Sequence, residues 1–234
     1  MSPDRRAAFI AGMLYLVTFA TSIPALILKT PALGDPHFVI STDGHTGVLW
    51  SAALEIVLAA ACVGTAIVLF PILGRHSPTA AIGLLSSRIV EATVIAFGVI
   101  TMLALVTMRQ GAVGDAESLL VAGAALVAFH DWAFLLGPGF LPAVNAVFLG
   151  YVLFRHSLVP PTIPLLGLVG APLLAASAMA TLFGVFGQVS VLAAIAALPI
   201  ALWELSLGLW LVARGFRPHT QRGQETLAPT VRAT

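Results

Sequence analysis

The sequence predicts an all-α fold, a polytopic membrane helical bundle of six transmembrane helices, and three observations carry that prediction. Of 234 residues, 59% are hydrophobic and only 9% are charged. Mean hydropathy is +1.02. The apolar residues also collect into runs of the length a bilayer demands. An ordinary soluble domain carries about 25% charged residues, so most of this chain's surface does not face water.

A helix rises about 1.5 Å per residue and the hydrocarbon core is about 30 Å thick, so one crossing takes about 20 apolar residues. The first run, 7–28, follows MSPDRRAAF. It is longer than the roughly 7–15-residue core of a secretory signal, and reads as an uncleaved span. Runs at 48–73, 79–107, 163–185 and 189–213 give four more spans. The stretch 115–154 accommodates two readings. One is a short outer-face helix near 116–129, with Asp115 as its N-cap and Glu117 in its first turn, followed by a span at about 130–154. The other is two spans, 116–136 and 140–154, broken at Gly137-Pro138-Gly139; the second would be shorter than the minimum of about 17 residues.

Charge placement arbitrates, because Lys and Arg near span ends are retained on the cytoplasmic side. Six spans with the N-terminus inside gather Arg5, Arg6, Arg75, Arg155, Arg214, Arg217, Arg222 and Arg232 on one face, against Lys29 and Arg109 on the other. Seven spans in the same orientation reverse that bias. Six spans with both termini cytoplasmic is therefore the preferred layout, with seven as the alternative. Residues 1–216 form one transmembrane domain, and the polar segment 217–234 is predicted to be a disordered cytoplasmic tail. Small residues at four-residue spacing, Gly167-Ala171-Ala175 and Ala193-Ala197-Ala201, suit close helix packing.

Several classes are excluded or disfavoured. A net charge of +1 offers no field to recruit nucleic acid. The single cysteine, Cys62, forbids an intrachain disulfide and reads as a small buried hydrophobe. No GxSxG elbow, P-loop or GxGxxG after a strand appears, so an enzyme is disfavoured. No HxxxH, HExxH or CxxCH pattern implies a metal, a haem or another cofactor.

The informative residues are the polar ones inside apolar runs. Counted from the cytoplasmic end of each span, Arg88, Glu204, Asn145 and Tyr15 all fall nine or ten residues deep, near the bilayer midplane. Glu91 lies one turn beyond Arg88 on the same face. A charge at that depth costs about 2.5–3.5 kcal/mol on insertion scales. Arg88, Glu91 and Glu204 therefore face inward and neutralise one another. One Arg between two Glu leaves an excess negative charge, to be removed by a proton, a bound cation or a cationic ligand. A second set, Asp43, His45, Glu55, His130 and Asp131, lies near the outer boundary and is expected to line a polar mouth.

Particular stretches carry a resemblance. The patterns RIVEA in the third span, LFPILGR at 69–75, GYVLFRHSLVP in the fourth span and ALPIALWELSLGLWLVARGF in the last, with the N-terminal Arg before span one, resemble a known family. It is a family of uncharacterised bacterial six-span integral membrane proteins, known only as a domain of unknown function. The resemblance runs from Arg5 to Phe216, with Pro161 departing from the basic or polar residue common there. It implies six spans and a bacterial inner membrane, and no activity.

Three functions compete. The first is handling of a small molecule, ion or proton at the Arg88, Glu91, Asn145, Glu204 layer, with a homodimer as one way to complete a transporter. The second is a non-catalytic structural or regulatory partner of another membrane protein, in contact otherwise with membrane lipids. The third is a membrane-embedded enzyme acting on a lipid-like substrate. The first and third require a cavity reaching the layer. The second requires a layer packed shut.

Overall fold

The computed structural model describes residues 1–41, 44–111 and 115–217. The expected tail, apart from Arg217, lies outside the described residues, as do Asp43, Arg222 and Arg232. The described residues form seven helices: α1 (Pro3–Gly34), α2 (Thr46–Gly74), α3 (Pro78–Gly111), α4 (Ala116–Leu136), α5 (Leu141–Arg155), α6 (Thr162–Leu182) and α7 (Val191–Ala213). A single 3-10 turn, Phe38–Ile40, caps the connection between α1 and α2. Among the described residues there is no strand.

Side-chain caps start three of the helices, and the one at Asp115 is the cap expected from the sequence. Ser2 Oγ accepts from Arg5 N–H at 3.3 Å, Asp115 Oδ1 from Ser118 N–H at 2.8 Å, and Ser190 Oγ from Ala193 N–H at 3.2 Å. Each satisfies one amide that the first helical turn leaves unpaired. The hydrogen bonds from Ser118 hold the exposed Asp115 carboxyl below its ordinary pKa.

The structure resolves the stretch 115–154 differently from the expected 116–129 helix followed by a 130–154 span. Helix α4 runs on to Leu136, and the interruption falls at 137–140. Pro138 has no amide hydrogen and disfavours helical backbone in the residue before it. Gly139 turns so tightly that a Cβ there would lie 2.6 Å from the Leu135 carbonyl oxygen. The two helices nevertheless make one crossing. Gly123 meets Leu105, His130 meets Gly98, Gly137 meets Val94, and Phe148 meets Gly83. As numbers rise along α4–α5, they fall steadily along α3, so α4 and α5 together lie antiparallel to it over its length. Among the described residues, six segments are long and apolar enough to cross a membrane, with 116–155 counted as one.

An even number of crossings brings both ends of the described chain to one face. Arg5 donates to the carbonyls of Leu211 (3.0 Å) and Val212 (2.6 Å), and Arg75 pairs with Asp4 at 2.6 Å. The backbone N–H of Arg217 donates to Leu158 O at 2.8 Å. The opposite, distal face carries residues 35–41, the start of α4 and the α6–α7 connection.

Packing is uneven across the bundle. On the terminal side, α1 and α7 touch backbone to backbone: a Cβ on Gly12 would lie 2.7 Å from Gly208 O. Helices α6 and α7 lock where Gly167 admits the Trp203 ring, 2.6 Å from where its Cβ would be. Thus Gly167 and the buried Ala171 serve the packing expected of that row. The other row behaves differently. Ala193, Ala197 and Ala201 line open space between α7 and its neighbours.

Candidate functional site

Four helices deliver five polar groups to one layer. Helix α3 supplies Arg88 and Glu91, α1 supplies Tyr15, α5 supplies Asn145 and α7 supplies Glu204. Arg88 is 2% exposed. Its Nη1 donates to Glu91 Oε2 at 3.0 Å, and its Nη2 donates to Glu204 Oε1 at 2.9 Å and to the Tyr15 hydroxyl at 3.3 Å. The guanidinium also lies over the Tyr15 ring, 5.4 Å from its centroid. Asn145 Nδ2 donates to Glu91 Oε2 at 2.7 Å. The planar fork of Arg suits this bridging role, which an ammonium would fill less specifically.

Two members were not foreseen as part of the layer. Ser87 Oγ donates to Asn145 Oδ1 at 2.5 Å, fixing the amide that holds Glu91. Cys62 Sγ lies 3.6 Å from Arg88 Nη1, so it is more than an apolar filler. Ser87 was legible in principle: it sits one turn before Glu91 on the same face. For Cys62, the only signal is its apolar run, which says nothing of an Arg nearby.

The two carboxylates are held differently. Glu91 is buried and receives both Arg88 and Asn145 on one oxygen. Glu204 is bonded through Oε1 alone, and its side chain is 14% exposed. That exposure faces a cavity of about 260 Å³, lined also by Arg88, Glu91, Cys62, Thr18 and Ala201. Arg88 Nε is buried without a hydrogen-bond partner. The layer is therefore fixed from behind by Tyr15, Asn145 and Ser87, and open on the side of Glu204.

Of the expected outer mouth, Glu55 and His130 border one small void, and His45 is not among its lining residues. Glu55 turns inward and forms a buried ion pair with Lys29, which is 1% exposed. The Lys29 ammonium lies 5.1 Å from the Phe134 ring centroid. Lys29 had counted as an outer-face charge, but α1 continues to Gly34 and carries it inside. His130 is buried against Gly98 with its Nδ1 3.3 Å from Asp131 Oδ1, while Asp131 itself is exposed. His45 lies at the surface, 3.0 Å from Gln110. Asp43 falls outside the described residues. Among the described residues no three His, Cys, Asp or Glu side chains group as a metal cage.

A sequence pattern described as a domain of unknown function, DUF4386, matches residues 10–215. The chain belongs to the DUF4386 family. That finding bears out the resemblance carried by RIVEA, LFPILGR and the last span. Every member of the polar layer falls inside the DUF4386 region. No curated protein and no solved structure matches the chain.

Proposed function

We propose that this DUF4386 protein binds a small molecule, ion or proton at the Arg88–Glu91–Asn145–Glu204 layer, with Tyr15 holding Arg88 in place. The observation that supports this reading is the cavity of about 260 Å³ beside Glu204. The space is a cleft open at its side, so Glu204 is reachable from outside the packed core. A non-catalytic partner needs no path to its buried charges. The chemistry of the site supports the same reading: with both carboxylates ionised, two negative charges face one positive charge, and of the two, which both border the cavity, Glu204 is the less engaged. Glu204 is the binding or proton-carrying group in this reading, and Arg88 sets the field around it.

The protein resides in a bacterial inner membrane with both termini cytoplasmic. The terminal face carries Arg5, Arg6, Arg75, Arg155, Arg214 and Arg217, which supports that orientation. With Lys29 buried in its pair, Arg109 is left as the distal basic residue among the described ones, so the asymmetry exceeds the one counted from sequence.

Thermal melting of the purified protein tests the function. Wild type and Glu204→Gln are melted side by side across pH and a panel of monovalent cations, divalent cations and small amines. A bound species stabilises the folded state by mass action. A stabilisation present in wild type and absent from the variant is the expected outcome. Identical responses of both proteins to every condition remove Glu204 from any binding role and defeat the reading.

A further inference from the structure

The cavity at Glu204 does not end there. A second space of about 460 Å³ adjoins it, sharing Pro138, Leu174 and Ala197 as common walls. It runs along α7 towards the distal face, where Gln188 and Ser190 line it. Its shaft is mostly apolar, built from Leu26, Phe134, Leu174, Ala193, Ala194 and Ala197, with the hydroxyl residues Ser177 and Thr181 also on its wall. From Ser190 to Glu204 along α7 the distance is on the order of 20 Å, at about 1.5 Å per residue.

Three features of the fold create this groove. Helices α1 and α7 touch at Gly12 and Gly208, on the terminal side of the layer, and the groove occupies the space between them beyond that contact. The interruption at 137–140 withdraws side chains from the α4–α5 wall. The alanines of α7 fill no space of their own. The result is a polar mouth, a mostly apolar shaft and a charged floor, in that order.

We propose that the groove binds a monocationic amphiphile, an amine with a linear apolar tail, with its ammonium at Glu204 and its tail along α7. This deepens the reading above and rests on it. Charge complementarity selects the sign. At the floor, Arg88 is shared between Glu91 and Glu204, which leaves one negative charge in excess when both are ionised. The other pair in the bundle, Lys29 with Glu55, is balanced one to one and supplies no spare cation. An ammonium at Glu204 completes a two-by-two arrangement of charge, whereas a carboxylate would add a third negative group. The shaft selects the tail: alanine and leucine walls reward apolar surface by about 25 cal/mol per Å² buried and offer few hydrogen bonds to a polar one.

The test uses full-length protein in lipid nanodiscs, titrated with octylamine, octanol, octanoate and methylamine. Octylamine is expected to raise the wild-type Tm by about 5–10 °C at a hundredfold excess over its Kd. Glu204→Gln should weaken octylamine at least tenfold, and Ala197→Phe, which plugs the shaft, should do the same with Glu204 intact. Ala194→Trp, nearer the mouth, serves if Ala197→Phe does not fold. Equal or greater stabilisation by octanoate or octanol overturns the choice of a cation. Undiminished binding in both shaft variants overturns the placement of the tail. Stabilisation by methylamine that depends on Glu204, with none from octylamine, overturns this inference while leaving the binding function standing. No Glu204-dependent response to any condition defeats both.

Discussion

Two buried ionic clusters, one between α1 and α2 and the other between α3 and α7, use charge in opposite ways. Lys29 and Glu55 match one to one, and Phe134 covers the ammonium. The void beside them is about 10 Å³, room for one water at most. Arg88 instead faces two carboxylates, and the space beside Glu204 is about 260 Å³. One site is balanced and closed, the other unbalanced and open. Burial alone therefore does not mark a functional charge in a membrane bundle. An odd charge with volume next to it does.

The most damaging way to break the comparison is Arg88→Ala. Removing one partner of a buried pair typically costs about 3–5 kcal/mol, and here two carboxylates lose their shared counter-charge. The variant is expected to accumulate poorly in the membrane and to melt far below wild type; wild-type abundance and Tm would refute the buried network. Lys29→Ala should come next, at about 3–5 kcal/mol for one stranded carboxylate. The double change Lys29→Met with Glu55→Leu sharpens the contrast, because a closed pair can be replaced by apolar groups at little or no cost. Its Tm should return to near wild type, and a double variant as unstable as Lys29→Ala would show that the pair does more than fill space.

Glu204→Gln should have a smaller effect, within about 1 kcal/mol, since the amide oxygen still accepts from Arg88 and Arg88 with Glu91 then balance. A collapse of stability in this variant would make Glu204 a structural residue like Glu55. The smallest effect is expected at the water-facing end. The Asp115 carboxyl is held below its ordinary pKa by Ser118, so its capping contribution is complete above the unfolded value near 4 and is lost as pH falls through the lower folded value. Amide exchange at 116–119 should quicken there, while the buried pairs stay protected. Unchanged exchange in acid would show that the cap is not carried by the ionised carboxylate.

Much of the polar layer was legible because depth and periodicity are one-dimensional quantities. Nine or ten residues from each span's cytoplasmic end is a height, and a charged group at that height must face inward. Arg88, Asn145, Glu204 and Tyr15 stand at that height, periodicity adds Glu91 one turn beyond Arg88, and the structure brings all five together. Glu55 and Lys29 failed to be read as partners because the first run seemed to end at Leu28. A helix continued by Thr30, Pro31 and Gly34 does not announce itself in hydropathy. His130 and Asp131 touch each other, yet they face differently, His130 buried and Asp131 exposed, while His45 pairs with Gln110 instead.

The sequence by itself determined the class of the molecule and the height of Arg88, Glu91 and Glu204, since the apolar runs and the cost of burying charge act along each helix separately; that 116–155 counts as one crossing needed the packing of α4 and α5 on α3. Only the tertiary structure decided which charges pair and where space remains. Pairing depends on the rotation of one helix against another, fixed by contacts such as Gly12 with Gly208 and Gly167 with Trp203. The cavity depends on what is missing between helices: the interruption at 137–140 and the alanines of α7 leave a volume that no single run of residues contains.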